Sequence, residues 1–597
     1  MRHRVSMPEP HSHLFHVEAE LDGPGDAPVF AMPVWTPGSY LVREFARHVE
    51  GLEATDGTGR RLEVERLDKA RWRVRAGGAA QVRLSYRVYA NDLTVRTSHL
   101  DGTHGYFNGA NLFMCPEGRA AERQVLEVVA PEGWRVATAL QGEDRRGPFG
   151  DGGPAGGTWS FTARDFDELV DSPVEVGAHA VWRFEAAGKP HAIALWGRPA
   201  GGLDAERFTA DVKRVVEAEA ALMGGLPYER YLFIVHVSDK RRGGLEHASS
   251  TTLSVARNAF AGRDAYEETL ALVAHEFFHV WNVKGLRPAA LVPYDYGQEQ
   301  YTRLLWWFEG VTSYYDMLTL ARSNLADGRR YLRHLGEALT TLERTPGARK
   351  VSAEESSFTA WVKLYRADEN TPNSTISYYL KGELVALALD LQLRRAGHSL
   401  DELVRTLWQR HAANGGVPED GVERAVADVL GAEAARAFFD RHVRGTGDLD
   451  LPLELVGVRL ARRPSQALDD KGGTPPKSNG PQKLAGWLGA QLGSGPKLTV
   501  SSVREGSPAW RAGLYAEDEI VAEDGFRVDK GALWDRLQER GPGGALRLTV
   551  FRRDELIEVP LTLGEPPQDT IWLEPDPAAT PEQRAAFTAW CGAAFPA

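Results

Sequence analysis

The sequence predicts a multidomain α+β protein, and three observations support that prediction. The chain has 597 residues, too many for a single core at about 150 residues per domain. Residues 1–185 alternate apolar and polar side chains between Gly, Pro and Asp clusters, which is typical of antiparallel strands. Residues 300–450 have helical periodicity almost throughout, and short strands and turns return after residue 453.

Composition and charge exclude several classes of partner. A hydrophobic content of 43% and a charged content of 25% are typical of soluble globular proteins. The net charge of −12 is spread along the chain, so we expect no nucleic-acid partner and no membrane-binding basic patch. The chain has no apolar run of membrane-spanning length, and its first residues lack a signal-peptide pattern, so we expect no membrane partner and a cytoplasmic location. Cys115 and Cys591 are too few for a disulfide framework.

The first predicted domain, residues 1–185, is an antiparallel β domain. Two of its loops, residues 33–45 and 104–114, are rich in aromatic residues, Gly and Asn. Loops on a rigid sheet commonly carry binding residues, so Asn108 and Asn111 are candidates to line a substrate cleft. Ordinary turn roles for both residues are the alternative.

The second predicted domain, residues 186–452, contains the motif H-E-x-x-H. After a helix at 204–223 and an apolar strand at 231–237, a helix at about 267–284 carries His275, Glu276 and His279. Positions i and i+4 share one helix face, so both imidazoles can reach one zinc ion, with Glu276 beside its open side. Glu309 follows an apolar run on a second helix and is the predicted third ligand, giving one zinc per chain. A chance motif and a solvated Glu309 are the alternatives.

The last part of the chain predicts a small β-rich module at residues 453–570. Within it, residues 463–482 are rich in Pro, Gly and polar side chains, which indicates a flexible loop or linker. Residues 571–597 form a tail in which Thr580, Pro581 and Gln583 have the pattern of a helix N-terminus, so a short terminal helix is expected.

Four segments carry a resemblance to a known family. Residues 243–250, 275–282, 306–310 and 377–382 read GGLEHASS, HEFFHVWN, WWFEG and SYYLKG. With these motifs in this order, the chain resembles the M61 family of metallopeptidases, of the glycyl aminopeptidase type with a C-terminal PDZ domain. The resemblance implies a β-sandwich-like N-terminal domain, a gluzincin (thermolysin-like) α/β plus helical catalytic domain, and a PDZ-like β module.

The catalytic segments are also similar to those of the larger M1 aminopeptidase group. That similarity implies that Glu246, after Gly243 and Gly244, holds the α-ammonium of the substrate. It also implies that Tyr379 donates to the oxyanion, because Tyr379 and not Tyr378 is followed by x-Lys-Gly. The alternatives are a turn carboxylate and two core aromatic residues.

Residues 507–520 resemble the central motif of bacterial PDZ domains, and residues 487–490 resemble the carboxylate-binding turn of such domains. Glu517 stands where those domains usually have Gly. The resemblance implies C-terminal peptides as ligands of this module.

Together these observations predict a zinc-dependent aminopeptidase with Glu276 as the general base. Its expected substrates are peptides with a free N-terminus, and the resemblance implies a preference for Gly and Ala. Two other functions stay open at this point. One is a zinc endopeptidase with an open cleft, and the other is a non-catalytic PDZ adaptor with a structural zinc site.

Overall fold

The computed structural model describes residues 1–142, 149, 155–239, 242–476 and 483–596. The chain forms two compact units: Met1–Thr302 with Val404–Glu419, and Arg303–Leu403 with Asp420–Ala597. The predicted domain boundaries after residues 185, 452 and 570 fall inside these units, and they stay predictions.

The first unit begins with a β domain whose short strands follow the alternating sequence pattern. Its elements are β1 (Arg2–Ser6), β2 (Leu14–Asp22), β3 (Val29–Ala31), β4 (Val49–Asp56), β5 (Arg61–Leu62), β6 (Val64–Arg66), β7 (Arg71–Val74), β8 (Gln81–Tyr89), β9 (His99–Leu100), β10 (His104–Phe107), β11 (Cys115–Pro116), β12 (Gln124–Ala130), β13 (Arg135–Thr138), β14 (Gln141–Gly142), β15 (Gly157–Ala163), α1 (Phe166–Val170) and β16 (Val174–Gly177).

These strands form an eight-stranded sheet in the order β14-β15-β12-β1-β2-β8-β4-β5 and two four-stranded sheets, β13-β16-β10-β9 and β11-β3-β7-β6. The period-2 pattern holds: Phe15, Val17, Ala19 and Leu21 of β2 are all buried. The predicted β domain is therefore confirmed. Among its described strands, the pairing departs from a purely antiparallel sheet where β1 pairs with β12 in parallel.

The first unit continues with a five-stranded sheet and two helices. They are β17 (Ala180–Ala186), β18 (Lys189–Gly197), α2 (Ala205–Met223), β19 (Tyr231–Ser238), β20 (Gly243–Glu246), β21 (Ser250–Ala256) and α3 (Arg263–Phe278). The sheet order is β17-β18-β19-β21-β20, with β19 parallel to both neighbours and β20 at the edge. The predicted helix at 204–223 and the strand at 231–237 are confirmed, and β19 is almost fully buried, as a central parallel strand requires.

The second unit begins with helices. These are α4 (Leu305–Phe308), α5 (Gly310–Arg322), α6 (Gly328–Glu343), α7 (Ala353–Phe358), α8 (Thr371–Ser374), α9 (Tyr378–Arg395), α10 (Leu400–His411), α11 (Gly421–Leu430) and α12 (Ala432–Phe438), of which α10 runs across the boundary at Leu403 into the first unit. Helices α5 and α9 touch through their backbones, since a Cβ added to Gly310 would lie 2.3 Å from the Gly382 Cα. Among the described helices, none is long and apolar enough to cross a bilayer.

A β-rich module and a terminal helix complete the second unit. Their elements are β22 (Val458–Arg463), β23 (Ala490–Leu492), β24 (Val500–Val503), α13 (Pro508–Ala512), β25 (Glu519–Glu523), β26 (Phe526–Arg527), α14 (Lys530–Arg540), β27 (Ala545–Arg552), β28 (Glu555–Thr562), β29 (Thr570–Pro575) and α15 (Pro581–Cys591). Strands β25 to β28 form a sheet in the order β26-β25-β27-β28 over an aliphatic core. The predicted terminal helix is confirmed, with Thr580 and Gln583 forming a capping box.

The predicted linker differs from expectation over its described part, residues 463–476. Arg463 and Asp470 form a salt bridge of 2.5 Å with both side chains nearly buried. The backbone N–H of Gly473 donates to the carbonyl of Ile571 at 2.8 Å. Polar composition indicated a loop correctly, but a buried ion pair and a backbone hydrogen bond attach this loop to the unit. Residues 477–482 of the predicted linker lie outside the described residues.

Candidate active site

The two motif histidines lie at the C-terminal end of α3. Residue His279 is the helix C-cap and keeps helical dihedral angles, φ −60° and ψ −17°, so it stays on the same face as His275. The Nε2 atoms of the two rings lie 3.2 Å apart. The Nδ1 atom of His279 donates to the carbonyl of Asn282 at 2.7 Å, which leaves Nε2 as the unprotonated, ligating nitrogen.

The motif helix ends at Phe278, so the prediction that it continues to about residue 284 is wrong. After His279 the backbone hydrogen bonds span five residues instead of the four of an α-helix: the Lys284 N–H donates to the carbonyl of His279 at 2.9 Å. Residue Val283 has φ 131°, a conformation that no α-helix contains. The chain therefore leaves the helix directly after the second histidine.

Glu276 faces the edge strand β20. A Cβ added to Gly244 would lie 2.1 Å from the Cδ atom of Glu276, so only glycine permits this approach. Carboxylate oxygens of Glu276 and Glu246 and a ring nitrogen of His279 all lie within 4.8 Å of one another. The first unit thus places the predicted base, the predicted amine-binding acid and one predicted metal ligand together.

Glu246 ends β20 and is nearly inaccessible, at 4% exposure. Its Oε1 atom is buried and has no hydrogen-bond partner among the described residues. The loop at residues 33–45 covers this carboxylate, because a Cβ on Gly38 would lie 2.5 Å from its oxygens. A buried carboxylate oxygen without a donor is costly, so the arrangement indicates a cationic ligand at this point.

Sequence reasoning missed Asp171, whose carboxylate contacts the chain both before and after the motif helix α3. Its carboxylate accepts from the Lys284 Nζ at 2.5 Å, the His247 Nδ1 at 3.1 Å and the Ala248 N–H at 2.8 Å. Burial alone would raise the pKa of Asp171, but the Lys284 ammonium and His247 hold it well below its usual range. No sequence signal marked Asp171, since it lies far from both partners along the chain.

In the second unit, the structure brings Glu309 and Tyr379 near each other. Glu309 is buried at the junction of α4 and α5. The pKa of Tyr379 is raised well above its usual value; burial is the largest cause, and the nearby charge of Glu309 is the second. The hydroxyl of Tyr379 lies 3.3 Å from that of Tyr365. Tyr379 is partly exposed whereas Tyr378 is fully buried, which favours Tyr379 as the residue that can reach a substrate.

Asn108 and Asn111 make hydrogen bonds inside the β domain. Asn108 accepts from the Ala110 N–H at 3.0 Å and donates to the Thr36 hydroxyl at 3.4 Å. Asn111 donates to the carbonyl of Arg96 at 3.1 Å. Both side chains therefore support the loops near β20, and direct contact with a substrate stays a prediction.

Comparison with known proteins decides the family. Residues 2–178 match the Peptidase M61 N-terminal domain, and residues 268–385 match the M61 glycyl aminopeptidase family. A crystal structure of an aminopeptidase N family protein from Idiomarina loihiensis shares 33% identity, covers 99% of each chain and superimposes with a TM-score of 0.91. The chain belongs to the M61 peptidase family. As a member it is a zinc-dependent metallopeptidase of the aminopeptidase type.

Other relatives of this M61 peptidase are more distant. An M1 zinc metallopeptidase from Deinococcus radiodurans, crystallised with a Tyr-Ser-Ala substrate, shares 16% identity over 76% of this chain and 94% of its own, with a TM-score of 0.48. A probable periplasmic serine endoprotease, DegP-like, from Chlamydia pneumoniae is 35% identical over 71 residues, which are 12% of this chain and 14% of that protein. The family assignment rests on neither.

The donor set of the M61 peptidase fits zinc. Two nitrogen ligands at about 2.05 Å from a tetrahedral zinc ion lie about 3.3 Å apart, close to the 3.2 Å between the two Nε2 atoms. The Asn282 carbonyl on the far side of His279 is the kind of outer partner that orients zinc-binding histidines. His275 and His279 would therefore hold the metal without rearrangement.

Replacing Lys284 by Met is expected to lower the free energy of unfolding by about 3 to 5 kcal/mol, because it leaves the Asp171 carboxylate in the protein without its cation. The midpoint of urea unfolding measures the effect. Lys189→Met, which breaks a surface pair with the exposed Glu229, is the matched control and should cost under about 1 kcal/mol. Equal shifts in the two variants would show that the Asp171–Lys284 pair contributes no more to the free energy of unfolding than a surface pair does.

Proposed function

We propose that this M61 peptidase removes single small residues, Gly and Ala, from peptides with a free N-terminus. The observation that carries the proposal is the buried Glu246 oxygen without a hydrogen-bond donor. A substrate α-ammonium would supply the missing donor and neutralise the carboxylate. The loop at Gly38 leaves little space beside that carboxylate, and the matching family is described as glycyl aminopeptidase; both favour a small first residue.

The closeness of Glu246 and Glu276 supports cleavage at the first peptide bond. In any amino acid, the amino nitrogen and the carbonyl carbon are separated by two covalent bonds, or about 2.5 Å. An acid that holds the amine within 4.8 Å of the general base therefore leaves room for one residue between them. An endopeptidase needs space for a longer chain on that side.

The proposed reaction assigns each side chain one task. His275, His279 and Glu309 are the proposed zinc ligands. Zinc held there would acidify a water molecule to a pKa of about 7 and polarise the substrate carbonyl. Glu276 takes the proton of the attacking water and returns it to the leaving amine. The Tyr379 hydroxyl donates to the oxygen that becomes negative as the carbonyl is attacked.

Tyr379→Phe is expected to lower kcat by roughly 10² to 10³ with little change in KM, the usual cost of removing one oxyanion donor. Steady-state kinetics on an alanyl peptide measures it. Tyr378→Phe is the control, because the Tyr378 ring stacks on that of Tyr379 but is fully buried. A normal kcat in Tyr379→Phe with a defect in Tyr378→Phe would transfer the role.

A panel of aminoacyl reporters and peptides tests the proposal. Glycyl and alanyl reporters should be cleaved faster than leucyl and phenylalanyl ones, and an N-acetylated peptide should be cut far more slowly than its free twin. A chelator should abolish activity, and zinc should restore it. Equal cleavage of free and acetylated peptides would establish the endopeptidase alternative. The adaptor alternative would be favoured by a protein that has no peptidase activity even before the chelator is added and that unfolds when the chelator removes zinc.

The β-rich module and the location are separate proposals. We propose that the module is PDZ-like, because a turn at residues 487–490 and helix α14 line one cavity of about 160 Å³. Leu468 from the preceding loop also lines this cavity, so binding of a C-terminal peptide would need Leu468 to move. A cytoplasmic location is proposed from the sequence analysis alone and is tested by cell fractionation.

A further inference from the structure

An arginine of the β domain lies on the edge strand of the active site. The Nη2 atom of Arg96 donates to the carbonyl of Gly244 at 3.4 Å. Its Nη1 atom lies 3.7 Å from the position that a Cβ on Gly243 would take. Arg96 comes from the segment before β9, almost 150 residues upstream of β20, and no sequence motif marked it.

The backbone that carries Arg96 is held by three hydrogen bonds. The Arg96 N–H donates to the Thr94 hydroxyl at 3.1 Å, and the Tyr106 hydroxyl donates to the carbonyl of Val95 at 3.2 Å. The Asn111 amide donates to the carbonyl of Arg96 at 3.1 Å. Tyr106 and Asn111 both belong to the loop at residues 104–114 or its first strand. This loop therefore acts on the site by positioning the arginine.

Two points in the first unit set the direction of a bound substrate, if the proposed function holds. The amine lies at Glu246, the last residue of β20, and the base Glu276 lies against Gly244. A peptide that passes from the first point to the second runs antiparallel to β20. The residue after the scissile bond then continues toward Gly243 and the Arg96 guanidinium.

We propose that Arg96 binds the C-terminal carboxylate of a dipeptide, so that the enzyme prefers dipeptides to longer peptides. An extended chain advances about 3.3 Å per residue, so the carboxylate of a dipeptide lies about 7 Å from its amine, one residue beyond the scissile bond and toward Gly243. A guanidinium presents its N–H donors in a planar fork that matches a carboxylate, and the guanidinium of Arg96 lies on the Gly244 carbonyl at the edge of the site. Each additional substrate residue moves the carboxylate one step away from Arg96.

The test compares peptides that differ only at the C-terminus. Wild type should cleave Ala-Ala about 10 to 100 times faster in kcat/KM than Ala-Ala amide, since a hydrogen-bonded charge is lost in the amide. The corresponding ratio for Ala-Ala-Ala and its amide should be below about threefold, because that carboxylate lies beyond the arginine. In Arg96→Met the ratio of kcat/KM for Ala-Ala to that for Ala-Ala amide (the dipeptide ratio) should fall to about one, and in Arg96→Lys this ratio should be intermediate.

The controls separate this inference from the function on which it rests. Arg87→Met, at an exposed arginine paired with Glu50 on the outer sheet, should keep the wild-type ratio. Zinc content and circular dichroism establish that each variant is folded. A dipeptide ratio near one in wild type, or an unchanged ratio in folded Arg96→Met, would overturn the inference. Cleavage of N-acetyl-Ala-Ala as fast as Ala-Ala would instead overturn the proposed aminopeptidase, whatever the acid-to-amide ratio.

Discussion

Glu276→Gln is expected to keep the full zinc content of the protein and to lose between 10² and 10⁴ in kcat. Glutamine has nearly the volume of glutamate, so the close contact with Gly244 should survive the exchange. Its amide cannot accept and return a proton, so the attacking water stays unactivated by the protein. Elemental analysis and steady-state kinetics on an alanyl peptide measure the two effects.

The control for this change is Glu268→Gln, at an exposed glutamate on the same helix, which should have wild-type kinetics. His275→Ala is the second comparison, because it should lose both zinc and activity. Glu276 is a structural residue if its glutamine variant loses zinc as His275→Ala does, and the assignment of the base is then wrong.

Glu246→Ala is expected to lower kcat/KM for free-amine peptides by roughly 30- to 5,000-fold, the cost of about 2 to 5 kcal/mol for losing one partner of a desolvated charge pair. Zinc content should not change, since Glu246 ends the edge strand and is not one of the proposed ligands. Cleavage of an N-acetylated peptide, already slow, should hardly change. The difference between the free and acetylated substrates should therefore shrink.

Glu229→Ala, at a glutamate whose side chain is 92% exposed, is the matched control and should leave both rates unaltered. Two results would count against an amine-binding role. One is a Glu246→Ala enzyme that treats free-amine peptides as wild type does. The other is an equal loss on free and acetylated peptides, which indicates a damaged site and not a lost ammonium contact.

Local features of the active site could be predicted from the sequence because they depend on helical period and on short motifs. His275 and His279 share a face since four residues make about one turn, and the structure retains this face even though α3 ends at Phe278. The choice of Tyr379 over Tyr378 rested on a three-residue pattern, and the greater exposure of Tyr379 agrees with it.

The sequence by itself therefore determined the family, the β domain, the helical region and the chemistry of the H-E-x-x-H motif. Tertiary structure alone decided which distant residues surround that motif: Gly38 over Glu246, Asp171 between His247 and Lys284, and Arg96 on the Gly244 carbonyl. Backbone periodicity places residues three or four apart, so it can be read from the chain. Contacts between residues 70 to 210 positions apart depend on how sheets and loops pack, and no local pattern encodes them.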